Sequence, residues 1–315
     1  MAKYFLGVDL GGTGVKLAIT TQKGLVVAQS SFPNLNPSDY KNVVKEIVTH
    51  FNEIKGDYKV LAAGIGVAGD VDQKHAFVRF SPNLKWKNVH LAKEFKKYLS
   101  IPVFIDNDAN TAALGAYCLE TKGKVNNLIC VTLGTGIGGG FILDGKLFTG
   151  ATGSAGEIGH ITLYPGGHLC NCGNHGCVER YLGAPYISSE FSEFARKNNN
   201  KTVSKLVEGD FSSVTPKIIT LAANSGDQLA IDYWKNYGEK LGIMLAGLIN
   251  TINPDMIVLA GGLSKAGNYI LNPVKETIKK RAFKAPVKVC KITISKFTQK
   301  LGVVGAALLA TQQNK

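Results

Sequence analysis

The stretch YFLGVDLGGTGVKLAIT, residues 4–20, holds an apolar run, a glycine-rich turn and a second apolar run. The two runs predict strands at Tyr4–Val8 and Val15–Thr20. A turn of glycines exposes backbone N–H groups and admits a phosphate without a clash from Cβ atoms. Asp9 follows the first strand, where a carboxylate can hold a metal ion or its waters. A tight hairpin without a ligand is the alternative interpretation.

The same pattern begins again at residue 127. Residues 127–133 predict a strand, 134–140 a glycine-rich turn, and 140–143 a returning strand. Five glycines in these seven turn residues cost conformational entropy, and close approach of a ligand explains the excess better than a hairpin does. A third glycine pair, Gly261-Gly262, follows another buried strand, where α/β proteins bind ligands.

Helical and strand patterns alternate along the chain, which is typical of an α/β fold. Apolar spacing predicts helices over 39–54, 92–99, 109–120, 241–252 and 302–311, mainly helix over 185–240, and strands over 60–67, 103–105, 256–259 and 288–294. The restart at residue 127 predicts two related halves. We place their boundary near Asp106–Asn110. The predicted lobes are 1–107, joined by the final helix at 302–315, and 108–301.

The net charge of +13 arises from 36 Lys and Arg residues against 23 Asp and Glu residues. Only four of the basic residues are Arg, the side chain best suited to bidentate phosphate and base contacts, and no run of five basic residues occurs. We therefore expect diffuse charge with mild attraction for anionic substrates, and no nucleic-acid partner. No apolar stretch approaches the roughly 20 residues that span a bilayer. The apolar run at the N-terminus is short and breaks at Asp9, so we expect no signal peptide and a cytoplasmic protein without a membrane partner.

Three of the six cysteines crowd together, at Cys170, Cys172 and Cys177. In a reducing compartment this clustering favours a metal over disulfides. Three thiolates and one imidazole form a closed tetrahedral zinc site, which is structural. Buried inert thiols are the alternative. The spacing leaves open which nearby histidine is the fourth ligand: His160, His168 or His175.

Two further segments carry candidate polar chemistry. In Asp106-Asn107-Asp108-Ala109-Asn110, between a predicted strand and a predicted helix, four of five residues could cap the helix, and one cap needs only one. A carboxylate there can act as general base on a hydroxyl. The second segment, Gly156-Glu157-Ile158-Gly159-His160, together with Glu179 beyond the cysteines, suits a polyhydroxylated ligand, with surface solvation as the alternative.

These segments resemble the ROK family (repressors, open reading frames, sugar kinases), and within it the bacterial ATP-dependent glucokinases. The resemblance covers nearly the whole chain. It is carried by Asp9–Lys16, Asp106–Asn110, Gly134–Gly140, Gly156–His160 and the pattern Cys-x-Cys-Gly-x-x-Gly-Cys-x-Glu over 170–179. It implies a two-lobed, actin-like ATPase fold of the ribonuclease H-like type, with a duplicated core and a zinc-bound loop.

The resemblance also implies roles for individual residues. Asp108 resembles the catalytic base that takes the proton from the 6-hydroxyl of the sugar. The implied sugar ligands are Gly69, Asn83, Asn107, Asp108, Glu157, His160 and Glu179. The implied ATP ligands are Asp9, Gly11, Gly12, Thr13, Lys16, Gly134, Thr135, Gly136, Gly261 and Gly262. The implied structural zinc ligands are His160, Cys170, Cys172 and Cys177, and Mg²⁺ would accompany ATP and bind Asp9.

The implied activity is ATP-dependent phosphorylation of a hexose at the 6-hydroxyl, foremost glucose to glucose 6-phosphate, by a homodimer. A kinase for N-acetylmannosamine, N-acetylglucosamine, fructose or allose is the alternative, because these sugars share the recognised hydroxyls. A sugar-binding sensor without catalysis is a more remote alternative, and polyphosphate stays open as a second phosphoryl donor. Repressors of the family carry a helix-turn-helix ahead of the kinase fold. The first predicted strand starts at residue 3 or 4, so we expect no repressor.

Overall fold

The computed structural model describes residues 2–314 and contains thirteen strands and eleven α-helices within them. The strands are β1 Tyr4–Leu10, β2 Gly14–Thr21, β3 Val26–Pro33, β4 Val60–Val67, β5 Asp70–Asp72, β6 Phe77–Ser81, β7 Trp86–Val89, β8 Val103–Asn107, β9 Leu128–Leu133, β10 Ile137–Leu143, β11 Lys146–Phe148, β12 Met256–Ala260 and β13 Lys291–Ile294. The helices are α1 Tyr40–Lys55, α2 Leu91–Phe95, α3 Asp108–Thr121, α4 Glu179–Leu182, α5 Ala184–Lys197, α6 Lys201–Leu206, α7 Pro216–Asn224, α8 Gln228–Ile252, α9 Asn268–Arg281, α10 Lys284–Val289 and α11 Leu301–Gln313.

The first sheet has the strand order β3-β2-β1-β4-β8. Strand β1 pairs antiparallel with β2 and parallel with β4, and β4 pairs parallel with β8. In this register Leu10, Val67 and Asn107 lie side by side. The carboxyl ends of three parallel strands therefore meet at one edge, the position where α/β sheets bind ligands.

The two faces of the first sheet carry side chains of different size. One face packs large aliphatic residues against α1 and α2, and α1 contributes the five residues whose spacing predicted it: Val43, Val44, Ile47, Val48 and Phe51. The other face packs against α11 and carries small residues such as Ala18 and Ala62 beside Phe5 and Phe104. A Cβ atom on Gly64 would overlap with the carbonyl of Ala306, so glycine is required for α11 to approach β4 this closely.

The second sheet repeats the topology of the first. Its order is β11-β10-β9-β12-β13, so the third, second, first, fourth and fifth strands in chain order are neighbours in both sheets. This confirms the predicted α/β fold class with a duplicated core. A third sheet, β5-β6-β7, follows β4 and was not predicted.

The chain divides into two compact units. The first unit holds the residues up to Cys130, Gly140–Gly156 and the residues from Lys296 onward; the second unit holds Val131–Gly139 and Glu157–Ser295. Helices α3 and α11 thus belong to the first unit, where they pack against each other. In the second unit, α8 packs against α7 and α9 and buries Trp234 completely. The lobes expected at 1–107 and 108–301 stay a prediction.

Several bounds differ from those predicted from the sequence. The predicted strand at 288–294 begins as helix α10 and becomes strand β13 only at Lys291. The predicted helix at 92–99 ends at Phe95. The second glycine turn is shorter than expected, because strand β10 already begins at Ile137. None of the helices in the described part of the chain is long and apolar enough to cross a membrane.

Candidate functional site

The first glycine turn, residues 11–14, joins β1 to β2 in the first unit. It is closed by a hydrogen bond from Gly11 N to Gly14 O at 3.1 Å. Asn34, which follows β3, holds the turn from outside: its backbone N donates to Thr13 O at 3.1 Å and its Nδ2 to Gly11 O at 3.0 Å. The buried Asn34 was not among the predicted site residues. No sequence pattern points to it.

An open pocket of about 400 Å³ lies beside the first glycine turn. It is lined by Asp9, Gly11, Thr13, Gly14, Val15, Lys16, Ser31, Phe32 and Pro33, four of which are predicted ATP ligands. Asp9 and Lys16 face each other across the β1–β2 ladder. Burial raises the pKa of Asp9, while the positive charge of Lys16 acts in the opposite direction. The pocket therefore offers a carboxylate, an ammonium group and backbone N–H groups together.

Three predicted sugar ligands of the first unit have neighbours among the other predicted site residues. Asn107 Nδ2 donates a hydrogen bond to Gly69 O at 2.9 Å. Asn83, in the turn between β6 and β7, lies against Gly12 of the first glycine turn. The structure thus brings Gly69 to Asn107 and Asn83 to Gly12.

Asn107 ends β8 and is the N-cap of helix α3. Its Oδ1 accepts hydrogen bonds from Ala109 N at 2.8 Å and Asn110 N at 3.3 Å. This is the capping role that the sequence left as an alternative for the segment. Asp108 is the first residue of the helix, half-buried, and its Oδ1 lies 2.9 Å from Ala109 N.

Asp106 is the buried carboxylate of the same segment. It accepts hydrogen bonds from Gln73 Nε2 at 3.0 Å, Asn110 Nδ2 at 2.8 Å and Asn107 N at 2.7 Å. Burial raises the pKa of Asp106, and the hydrogen bonds act in the opposite direction. Because Gln73 also donates to Gly153 O at 3.0 Å, this network joins the β8–α3 junction to the 150–156 loop of the same unit.

The second unit contains a cluster of potential metal ligands formed by His160, Cys170, Cys172 and Cys177. Their ligand atoms all lie within 4.8 Å of one another. Cys172 Sγ is 3.6 Å from Cys177 Sγ, and Cys170 Sγ is 3.7 Å from His160 Nδ1. Thiolates at about 2.3 Å from a tetrahedral zinc ion are roughly 3.8 Å apart, so the donor set and its spacing fit zinc.

The other two candidate histidines are engaged elsewhere. His175 Nδ1 is 3.0 Å from Gly167 O, and the His168 ring packs against Tyr181. Among the histidines that the spacing left open, the structure therefore places His160 at the cysteines.

The backbone holds the metal loop, residues 160–178, in a compact shape. Cys170 N donates to Asn174 O at 2.8 Å, which bends the chain around the first two cysteines. Val178 N donates to Ile161 O at 2.9 Å, which returns the chain to the start of the loop beside His160. These bonds bring a histidine and three cysteines from a span of 18 residues into one cluster.

His160 presents its two ring nitrogens to different groups. Nδ1 faces Cys170, whereas Nε2 is 3.9 Å from Glu157 Oε2. A histidine that binds a metal through one nitrogen commonly presents the N–H of the other to a carboxylate or other acceptor. The arrangement therefore allows His160 to serve the cluster and a polar ligand at the same time.

The second glycine turn, residues 134–137, joins β9 to β10 and contacts Glu179. Glu179 Oε2 accepts a hydrogen bond from Ile137 N at 2.9 Å. A Cβ atom on Gly136 would overlap with this carboxylate oxygen, so a side chain at that position would displace Glu179 from the turn. Gly261 lies against the backbone of Leu133, directly before the turn. The contact of Glu179 was not predicted, because 42 residues separate it from Ile137.

Comparison with known proteins gives concordant results. A protein-family sequence model described as "ROK family" matches residues 5–313 of this chain. A glucokinase of Streptomyces coelicolor is 32% identical over 314 residues, which covers 98% of this chain and 97% of the relative. A xylose repressor of Caldicellulosiruptor bescii is 32% identical and is matched over 95% of this chain and 76% of its own length. The crystal structure of a ROK family glucokinase from Streptomyces griseus, in complex with glucose and AMPPNP, has a TM-score of 0.87 and 32% identity, covering 98% of this chain and 99% of that one.

Proposed function

This chain belongs to the ROK family, as its motifs predicted, and from that membership we propose that it is an ATP-dependent sugar kinase. The proposed reaction transfers the γ-phosphoryl group of ATP to the 6-hydroxyl of a hexose, and glucose is the foremost substrate. A cytoplasmic location follows from the use of ATP. A homodimer is part of the proposal on the resemblance to the family alone.

The observation that carries the proposal is the position of Asp108. It is the first residue of α3, directly beyond the carboxyl end of β8, and it is half-buried. Asp106 and Asn107 beside it serve the hydrogen-bond network and the helix cap. A half-buried carboxylate at the ligand-binding edge of a parallel sheet is suited to act as general base on a hydroxyl.

In the proposed mechanism, Asp108 accepts the proton of the 6-hydroxyl as the hydroxyl oxygen forms its bond to the γ-phosphorus. The bond from that phosphorus to the β,γ-bridging oxygen breaks, and ADP leaves with the electron pair. Such transfer depends mainly on positioning and electrostatic stabilisation. The backbone N–H groups of the first and second glycine turns and the ammonium group of Lys16 are proposed to hold the phosphates.

The proposed kinase binds two metal ions, each through its own set of residues. His160, Cys170, Cys172 and Cys177 would hold a zinc ion whose contribution is structural, since four protein ligands close the coordination sphere. Asp9, which lines the pocket at the first glycine turn, would hold the Mg²⁺ that accompanies ATP, and carboxylate oxygen is a ligand that Mg²⁺ prefers. That Mg²⁺ would neutralise charge on the phosphates.

The sugar hydroxyls are proposed to bind the ligands predicted from the sequence: Gly69, Asn83, Asn107, Asp108, Glu157, His160 and Glu179. The cluster geometry supports the double role of His160, because its Nε2 points away from the cysteines. Gly261 and Gly262, after β12, are the proposed adenosine contacts. N-acetylated hexoses, fructose and allose present many of the same hydroxyls, so they are the competing substrates.

The test is a panel of hexoses with ATP and Mg²⁺, in which the sugar phosphate formed is measured by mass spectrometry. The panel contains glucose, mannose, fructose, allose, N-acetylglucosamine and N-acetylmannosamine, with polyphosphate in place of ATP as a separate arm. We expect the highest kcat/KM for glucose. A higher value for an N-acetylated sugar would retain the mechanism and replace the substrate. No phosphorylated sugar from a folded, zinc-loaded sample would refute the kinase proposal and favour a sugar-binding sensor.

A further inference from the structure

We propose that Glu179 is a positioning residue that ties the metal loop to the second glycine turn, in addition to its proposed contact with the sugar. The inference rests on the proposed function, in which that turn holds phosphates of ATP. It predicts that the metal loop supports nucleotide binding even when no sugar is present.

The turn is held from one short segment, residues 179–184, at both of its ends. At one end Ala184 N donates to Gly134 O at 2.9 Å. At the other end Glu179 Oε2 accepts from Ile137 N at 2.9 Å. Within the turn, Gly134 N donates to Gly136 O at 3.0 Å. All of these atoms belong to the second unit.

The same segment is attached directly to the metal ligands. Glu179 is two residues beyond Cys177, and only Val178 lies between them. Val178 is fully buried, and its N donates to Ile161 O at 2.9 Å, next to His160. A displacement of the cysteine cluster would therefore move the start of α4 and its carboxylate. Burial of Val178 leaves no flexible spacer that could absorb the movement.

Two features of the contact between Glu179 and the turn support the positioning role. A hydrogen bond from a backbone N–H to an ionised carboxylate is stronger than one between neutral groups. The carboxylate also occupies the space beside Gly136 that any side chain there would need. Glu179 thus fixes the direction of the Ile137 N–H and fills the space beside Gly136.

Nucleotide binding without sugar separates this role from sugar recognition. The experiment measures the affinity for AMPPNP with Mg²⁺ by calorimetry, in the absence of any hexose, for zinc-loaded wild type, Glu179→Ala and Glu179→Gln. Glutamine retains an acceptor for Ile137 N, whereas alanine removes it. Glu193→Ala is the matched control, because Glu193 is an exposed carboxylate of the same unit that forms its ion pair with Lys197 at 2.6 Å.

We expect Glu179→Ala to weaken AMPPNP binding roughly 10-fold, the size of one lost hydrogen bond to a charged group. Glu179→Gln, which keeps an acceptor for Ile137 N without the charge, should weaken binding clearly less than Glu179→Ala, and Glu193→Ala should stay within about twofold of wild type. Equal binding by Glu179→Ala and wild type would overturn the inference, as would equal weakening by both Glu179 variants. A folded wild type that binds no AMPPNP would overturn the proposed function itself, and the inference with it.

A second measurement does not depend on nucleotide or on catalysis. Amide hydrogen exchange of peptides that cover Ile137 should be faster in Glu179→Ala than in wild type and Glu179→Gln. Peptides from the first glycine turn should exchange at the same rate in all three proteins. Unchanged exchange at Ile137 in a folded Glu179→Ala protein would overturn the positioning role.

Discussion

The first and second glycine turns occupy equivalent places in two sheets of the same strand order, but different groups hold them. The first turn is held by the neutral amide and backbone N–H of Asn34. The second is held by the carboxylate of Glu179, which follows the metal loop, and by the backbone N–H of Ala184. The strand order is therefore repeated in the two sheets, but the residues that support the turns are not.

This difference teaches that the two glycine turns should respond to different changes. The supports of the first turn lie in the first unit and involve no metal ligand. The support of the second turn is two residues from Cys177. Loss of the metal should therefore disturb the second turn and leave the first turn intact.

The largest expected effect is on the catalytic step and leaves the support of both turns unchanged. Asp108→Asn keeps an oxygen for Ala109 N but removes the proposed base, so kcat should fall on the order of 10³-fold. Steady-state kinetics on glucose would measure the loss, and nucleotide affinity should not change. The matched control is Asp57→Asn, at an exposed aspartate of the first unit. Full activity of a folded Asp108→Asn protein would exclude Asp108 as the base.

The next effect breaks the support of the second turn. Cys172→Ser removes one thiolate of the cluster, so zinc affinity should fall at least about 100-fold. The metal loop would lose its shape, and the KM for the sugar should rise about 10-fold. Zinc content by mass spectrometry and kinetics on glucose would measure both. Cys290→Ser, at a half-buried cysteine of the same unit outside the cluster, is the control. A zinc-free protein with an unchanged KM would contradict the role of the loop.

A smaller effect breaks the support of the first turn. Asn34→Ala removes the hydrogen bond to Gly11 O, at a cost of about 1 kcal/mol. Nucleotide affinity should fall about fivefold, whereas zinc content should not change. Calorimetry with AMPPNP measures the affinity. Asn36→Ala is the control, because Asn36 is exposed in the same loop. Loss of zinc in the Asn34 variant would show that the two supports are not independent.

The smallest effect is the acid sensitivity of the first unit. Hydrogen bonds from Arg79, at 2.7 and 2.6 Å, hold the pKa of Asp70 below its usual range. A lowered pKa in the folded state means stability that is present above the unfolded pKa of about 4 and is lost as the pH falls through the folded value. The pair is partly exposed, so screening limits it to about 0.5 kcal/mol.

Urea unfolding of wild type and Asp70→Asn at several pH values measures this contribution. The variant should be less stable at pH 7, and the difference should shrink toward zero below a pH of about 4. Glu193→Gln, which breaks an exposed pair with Lys197, is the control. A difference that grows on acidification would contradict the assigned sign.

The fold could be predicted where the sequence pattern is strong. The predicted strand at 60–67 coincides with β4. Its residues form a continuous, almost fully buried run, and no helical spacing of apolar residues competes with the strand pattern there. Helix α9 was missed because it contains Pro273 and three lysines, which obscure its apolar face. The predicted strand at 288–294 starts too early, because the chain is still in helix α10 up to Val289. In these segments, tertiary contacts override local propensity.

The site could be predicted only where its residues are close in the sequence. The three cysteines signalled a metal cluster, and the structure brings His160 to them as the family resemblance implied. The contacts of Glu179 with Ile137 and of Asn34 with Gly11 join residues that are far apart in the chain. Such pairs have no periodicity or spacing that a single sequence could reveal. Only the fold brings them together.

The central claim is tested most directly by the product. Wild-type, zinc-loaded protein is incubated with ATP, Mg²⁺ and glucose, and NMR of the sugar identifies the hydroxyl that carries the phosphate. The account predicts glucose 6-phosphate and ADP in equal amounts, and almost none of either from Asp108→Asn. Phosphate on another hydroxyl, or ATP left intact in the presence of glucose and the other hexoses, would contradict it.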